Sequence, residues 1–447
     1  MRRAIYSELL EWKESKTRKP LLLQGVRQCG KTYILKEFGK ENYEDVAYFT
    51  FENNPTLINI FQDDLDVKRI LDALGFRRSK KIEPQKTLLI LDEIQLCGRA
   101  LTSLKFFCED APEYHVVCAG SLLGVMLSKT DSFPVGKVNR LNMYPMNFKE
   151  FLLANSEDLL VNHMANNANV IGSLPEILTT KLNSYLDQFF LIGGMPSAVL
   201  SWIAERDIRK VEKILDEIIK DYKDDLVKHS SENIAKFTLI WGSIPLQLAK
   251  ENNRFIFSHV KTGARSKDLE DALEWLVNAG LIHKVRKVDP PKLPLPMFAD
   301  NSSFKIYMSD IGVLRKMAEV PSKFMFSEDK KYDLFRGAIM ENYVLNELVS
   351  SGNYMPYYWR GSNAEVDFVA QIDGTIVPIE VKAGNNRSKS LSEFVKRYDS
   401  EIAIITSKRN MNGVIAYVPK YAIWALADYV RYKVKEINDI SSDGSMR

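Results

Sequence analysis

Near the start of the chain, Gly25-Val26-Arg27-Gln28-Cys29-Gly30-Lys31-Thr32 spells G-x-x-x-x-G-K-T, the P-loop pattern, which demands a strand before it and a helix after it. Both are present. Leu21-Leu22-Leu23-Gln24 is a short apolar run of the kind that forms a buried strand. Tyr33-Ile34-Leu35-Lys36-Glu37-Phe38 is amphipathic, reads as helix and ends at Gly39. Gly25 and Gly30 permit a tight turn in which successive amide N–H groups point inward around a phosphate. The positive end of the following helix adds to that field. Gly25, Val26, Arg27, Gln28, Cys29, Gly30, Lys31, Thr32 and Tyr33 are therefore expected to bind ATP. Lys31 would reach the β- and γ-phosphate oxygens, and Thr32 would ligate Mg²⁺ through its hydroxyl.

Thr87-Leu88-Leu89-Ile90-Leu91-Asp92-Glu93 is an apolar strand ending in two carboxylates, a Walker B pattern. Asp92 is expected to hold the Mg²⁺ through water, and Glu93 to polarise the attacking water. The separation from the P-loop suits the crossovers of a parallel sheet. The next apolar strand, His115-Val116-Val117-Cys118-Ala119, leads into Gly120-Ser121. By position Ser121 is a γ-phosphate sensor; a serine before Leu122-Leu123 is equally an N-cap, and both roles stay open. Tyr43 to Phe51 and Lys137 to Tyr144 read as two further strands.

A chain of 447 residues has room for several domains. Hydrophobic residues at 45% and charged residues at 27% exclude a disordered, collagen-like or membrane-embedded chain. No stretch reaches the ~18 apolar residues that span a bilayer. The opening residues are broken by Glu8, Glu11 and Glu14, which fits an amphipathic helix better than a signal peptide. The formal charge of only +3 leaves any nucleic-acid surface to a local patch. Cys29, Cys97, Cys108 and Cys118 have no C-x-x-C spacing, so a cytoplasmic setting without disulfide or zinc is the expectation.

Residues 150 to 225 are mostly helical in pattern. Leu182, Tyr185, Leu186, Phe189 and Phe190 recur at helical spacing as core, Gly193-Gly194 and Pro196 break that helix, and the charged stretch from Val211 to Asp225 reads as a solvated connector. Farther on, Ser266 looks like an N-cap, Leu269, Leu273, Leu276 and Val277 form one apolar face, and Gly280 fits the C′ position. A strand-like Leu281-Ile282-His283-Lys284-Val285 follows, which is how a winged helix closes. Lys261, Arg265, Lys267, Lys284, Arg286 and Lys287 then form a basic face for DNA phosphates, or ordinary surface charge on a packing module.

In the last third, Glu341 lies in a helical stretch, Asp367 in the strand Ala364-Glu365-Val366-Asp367-Phe368-Val369, and Glu380 and Lys382 in Ile376-Val377-Pro378-Ile379-Glu380-Val381-Lys382. The strand period of two points Val377, Ile379 and Val381 one way and Glu380 and Lys382 the other. Asp367 and Glu380 then suit a divalent metal as hard oxygen ligands, Lys382 suits a water or a developing phosphate charge, and Glu341 completes the set. An alternating edge strand with a surface ion pair has the same spacing.

Five segments together make a resemblance specific: Leu91-Asp92-Glu93-Ile94-Gln95, Ala119-Gly120-Ser121-Leu122-Leu123-Gly124, Pro134-Val135-Gly136-Lys137, Tyr144-Pro145-Met146-Asn147-Phe148-Lys149-Glu150-Phe151 and Gly193-Gly194-Met195-Pro196. The chain resembles a prokaryotic AAA+ ATPase family whose C-terminal half is an uncharacterised domain similar to PD-(D/E)xK nucleases. That resemblance implies an α/β fold: a P-loop AAA+ parallel sheet with a helical lid, then a winged-helix-like module and a C-terminal restriction-endonuclease-like α/β domain. The implied division is 1–152 for the ATPase core, 153–228 for lid and connector, 229–298 for the winged-helix-like module, 299–430 for the nuclease-like domain and 431–447 for a tail. The family usually carries Arg where Lys137 stands. A lysine offers a point charge in place of an arginine fork, and Arg140 nearby is the alternative finger residue. The implied partners are ATP, DNA or RNA and further copies of the chain, with no membrane. Two functions follow: an ATPase governing a nucleic-acid-cleaving domain, or a non-cleaving ATP-dependent switch that binds a protein or nucleic acid.

Overall fold

The computed structural model describes residues 1–120, 133–166, 174–229, 234–250, 254–325, 330–352, 354–382, 388–406 and 415–444. These fall into two compact units: Arg2–Tyr144 with Glu274–Leu281, and Pro145–Leu273 with Ile282–Arg447.

Among the described residues, the first unit is built on five parallel strands: β1 (Leu21–Gly25), β2 (Asp45–Thr50), β3 (Thr87–Asp92), β4 (His115–Gly120) and β5 (Asn139–Met143). Their order is β2-β3-β4-β1-β5, so β1 lies inside the sheet and β4 separates it from β3. Leu21, Leu22 and Leu23 are fully buried, as are Leu88 to Leu91, which is why these runs carry no polar alternation. Each such side chain contributes about 1.5–3 kcal/mol by leaving water. Parallel strands need crossovers, which include the helices Lys31–Asn42, Val67–Arg77 and Gly98–Asp110. One face of the sheet, with Ala47, Phe49, Leu89, Leu91 and Cys118, packs on Ile70, Leu74, Leu101, Leu104 and Phe107 of the last two helices. The two outer strands are shorter than the 43–51 and 137–144 expected from sequence. The P-loop leaves the C-terminal end of β1, and Asp92 closes the C-terminal end of β3, at the same edge of the parallel sheet.

Among the described residues, the second unit carries the helical segment and a seven-stranded mixed sheet. Its strands are β6 (Ile282–Val288), β7 (Ala299–Met308), β8 (Tyr357–Arg360), β9 (Glu365–Ile372), β10 (Thr375–Val381), β11 (Ala403–Thr406) and β12 (Ile415–Val418), in the order β12-β11-β10-β9-β8-β6-β7. β8, β9 and β10 form an antiparallel meander between the helices Asp333–Gly352 and Lys389–Tyr398, and β11 then pairs parallel to β10. β6, expected to close a winged-helix-like module, is hydrogen-bonded into this sheet between β7 and β8. The helix before it runs from Ser266 to Asn278, and Gly280, at φ +73°, ends it as the C′ position requires.

The charged helix Ile208–His229 differs from the solvated connector expected of it. Val211, Leu215, Ile218, Tyr222 and Leu226 form a buried stripe along it. Its acids are engaged too: Glu212 pairs with the buried Arg315 at 2.8 Å and with Lys316 at 3.1 Å, and Asp216 pairs with Lys316 at 3.0 Å. A high density of charge hid an amphipathic face.

Candidate functional site

The first site is assembled at the ends of β1 and β3. Gly25 has no space for a side chain: a Cβ would stand 2.1 Å from the Met143 carbonyl oxygen. Gly30 adopts φ +100°, a backbone that favours glycine, immediately before the helix Lys31–Asn42. Lys31 is buried, and its Nζ donates to the carbonyl oxygens of Gly25 and Val26 at 2.8 and 2.9 Å. The Thr32 hydroxyl donates to Asp92 Oδ2 at 2.9 Å. The Tyr48 hydroxyl donates to the same oxygen at 2.8 Å, and the Glu93 amide donates to Oδ1 at 3.1 Å. Burial, and then Asp92, push the Tyr48 phenol well above its ordinary range, so it stays a donor. Glu93 itself sits at φ +52°, and the Gln95 side-chain amide donates to its carboxylate. Lys31, Thr32, Asp92 and Glu93 are therefore brought together as the motifs demand, with Cys29 buried beneath the loop and Tyr33 exposed.

Lys137 and Arg140 are not at this place. Asn139 and Arg140 pair with Leu21 and Leu22, at the opposite end of β1 from the P-loop. Lys137 is paired there with Glu109 at 2.8 Å, and the Arg140 guanidinium lies 4.4 Å from the Phe133 ring centroid. The Ser121 expectation lies outside the described residues. Tyr48 and Gln95 were missed in the sequence; the alternation within β2, which turns Tyr48 away from the buried Ala47 and Phe49, was the available signal for the former.

The second site lies on β7, β9, β10 and the helix Asp333–Gly352. The β9–β10 ladder runs to the pair Ile379–Phe368, and Glu380 and Asp367 are the next residues on the two strands. Asp367 Oδ2 accepts the Val381 amide at 2.7 Å. The buried Glu380 pairs with Lys382 at 2.5 Å. Glu341 Oε2 accepts the Tyr307 hydroxyl at 3.1 Å. Two residues before Tyr307 on β7, Lys305 is 1% exposed and pairs with Glu365 at 2.6 Å. Burial, reinforced by Glu341 and Glu380, holds the Asp367 carboxyl well above the usual carboxylate range, against the pull of Lys305. Burial likewise raises Glu380, with Lys382 opposing it. Among the described residues, no three or more His, Cys, Asp or Glu side chains are grouped closely enough to hold a metal ion. Lys305 and Tyr307 had no sequence signal, because β7 reaches this cluster only through its place in the sheet.

Residues 17–152 match a family model described as an AAA domain. Residues 183–323 and 336–420 match two models, each described as a domain of unknown function. An uncharacterised protein of Methanocaldococcus jannaschii is 26% identical over 361 residues, covering 78% of this chain and 71% of that one. An uncharacterised protein of Haemophilus influenzae is 24% identical over 238 residues, covering 49% of this chain and 54% of that one. The solved Walker-type ATPase of Pyrococcus abyssi aligns with 71% of this chain and 95% of its own at 18% identity, with a TM-score of 0.43, too low to establish a shared overall fold. The domain match and the P-loop geometry make the chain an ATPase. No helix among the described residues is long and apolar enough to cross a membrane.

Proposed function

We propose that the chain hydrolyses ATP at the Lys31–Asp92 site and that nucleotide state governs a nuclease-like C-terminal domain acting on DNA or RNA. The observation that carries the first half is the meeting of Thr32 and Asp92 at 2.9 Å beside Lys31. Thr32 Oγ1 and the Asp92 carboxylate supply hard oxygens at the edge of a phosphate loop, and they fit Mg²⁺. The ion, when bound, offsets charge on the transferring phosphate. Lys31 has three N–H donors, and two are spent on loop carbonyls, which leaves the third for a phosphate oxygen. Glu93 orients and deprotonates the attacking water, with Gln95 setting the direction of its carboxylate.

The order helix, three antiparallel strands, helix, parallel strand supports the nuclease-like reading, because it gathers a helix Glu, a strand Asp and a strand Glu-x-Lys into one cluster. A divalent metal does not fit that cluster as it stands. Asp367 Oδ2, Glu380 Oε1 and Glu341 Oε2 already accept from Val381, Lys382 and Tyr307, Lys305 and Lys382 supply balancing charge, and Glu380 Oε2 is left buried without a partner. This internal neutralisation favours a second reading, in which the domain recognises nucleic acid or protein without cutting.

One preparation tests both: ATP turnover and cleavage of DNA and RNA across divalent metals. Lys31→Ala is expected to lose nucleotide binding; Glu93→Gln is expected to bind nucleotide and turn over about a hundredfold more slowly or worse. On the nuclease-like reading cleavage vanishes in Asp367→Ala; on the second reading no divalent metal supports cleavage. Cleavage that survives that change removes the assigned site; turnover without cleavage in any metal supports the switch. A folded protein that does not bind ATP would end the proposal.

A further inference from the structure

The strand β2 carries a residue that none of the motifs account for. Ala47 and Phe49 point into the core at 1% and 7% exposure, so Tyr48 faces the other side of the sheet. On that side stands the helix Lys31–Asn42, which begins at the P-loop. Thr32 and Lys36 are four residues apart and share one face of it. Both converge on Tyr48. The Lys36 ammonium stands 3.5 Å from the centroid of the Tyr48 ring, and Thr32 shares with Tyr48 a single acceptor, Asp92 Oδ2. β2 also pairs with β3 in a register that sets Thr50 beside Asp92.

An ionised carboxylate has about four acceptor positions on its two oxygens. Three are occupied here by the Thr32 hydroxyl, the Tyr48 hydroxyl and the Glu93 amide. The carboxylate is thereby locked against rotation, with the remaining position directed by its neighbours. Thr32 also serves the metal with its oxygen, so the donors that hold Asp92 without themselves ligating Mg²⁺ are the Glu93 amide and Tyr48, and Tyr48 is the side chain of the two. The cation above its ring draws density from the phenol and strengthens the O–H as a donor.

We infer that Tyr48 is a positioning residue of the ATP site, whose hydroxyl fixes the Asp92 carboxylate for Mg²⁺–nucleotide. The inference rests on the ATPase reading and concerns how the metal is received there. A donor to a charged group contributes enough that its removal weakens the dependent step by about tenfold or more.

The test is Tyr48→Phe, which removes one oxygen and keeps the ring. Binding of a fluorescent ATP analogue is measured in EDTA and over a Mg²⁺ titration, alongside ATP turnover over the same titration. The expected result is unchanged affinity in EDTA, with the Mg²⁺ concentration for half-maximal tightening of binding raised about tenfold and turnover recovering at high Mg²⁺. Lys36→Met, which leaves the phenol in place, is expected to raise it about two- to threefold. An unchanged Mg²⁺ requirement in Tyr48→Phe overturns the inference, and so does an equal loss of affinity with and without Mg²⁺, which marks a packing role. If Tyr48→Phe does not fold, the Lys36→Met titration decides by the same comparison. Failure of the ATPase reading looks different: wild type then binds no nucleotide at all.

Discussion

Glu347 is 1% exposed on the helix Asp333–Gly352, and its Oε1 accepts the Phe148 amide at 2.8 Å. It thus reinforces the start of the helix Phe148–Ala154, where Asn147 and Glu150 already form a capping box. Burial pushes its carboxyl up to about 8, with Glu150 adding to the rise and the Phe148 amide opposing it. The folded state therefore holds a proton that the unfolded chain gives up near 4.5. Stability from this group is complete below that lower value and is lost as pH rises through about 8. Wild type is expected to lose melting temperature between pH 6 and 9, whereas Glu347→Gln, which keeps an acceptor and no charge, follows a flatter profile. The gap at pH 9 is on the order of a few kcal/mol; coincident profiles would show that Glu347 folds ionised. Lys305 illustrates the opposite strategy. Its charge stays because Glu341, Glu365 and Asp367 outweigh the burial that opposes it.

Elements in the second unit are held by backbone approach as much as by side-chain packing. The Gly194 amide donates to Asp310 Oδ2 at 2.6 Å, and its carbonyl oxygen accepts the Met146 amide at 2.7 Å. A Cβ on Gly194 would stand 2.0 Å from the Met146 carbonyl oxygen, a backbone atom that cannot swing aside. The Tyr-Pro and Gly-Gly-Met-Pro segments, so distinctive in sequence, thus meet in space as a structural clasp. Asp310 closes it by also capping the helix Ile311–Met317 through the Val313 amide. Gly194→Ala is expected to cost about 2 kcal/mol or more, seen as a lower urea midpoint with an unchanged slope. Wild-type stability in that variant would mean the clasp opens without penalty. The helix Ile208–His229 teaches a related point: seen as a row of charges it looks like a linker, yet every third or fourth residue belongs to the core.

Across the whole molecule, Lys137 and Arg140 lie at the end of the parallel sheet away from their own phosphate loop. Any charge they lend to a transferring phosphate must reach a second copy of the chain. Arg140→Ala is expected to lower ATP turnover, and mixing it with Lys31→Ala, which is silent but carries Arg140, is expected to restore part of the loss; no restoration would rule out a finger acting between copies. The P-loop, the Walker B strand and the C′ glycine at 280 were legible because contiguous residues impose those backbone shapes whatever surrounds them. The period of two likewise told which way Glu380 and Lys382 point, since it is a property of a strand by itself. The destination of β6 was not legible: helix, glycine and strand are local, but hydrogen-bond partners across a sheet are not. The same limit hid Tyr48 from Asp92 and Lys305 from Asp367, because each pair is joined only when distant strands take their places. The amino-acid order by itself thus determined a phosphate loop and the phase of each strand. Tertiary structure alone decided which side chains share a carboxylate, because that depends on strand order and burial, which no short stretch of chain can encode.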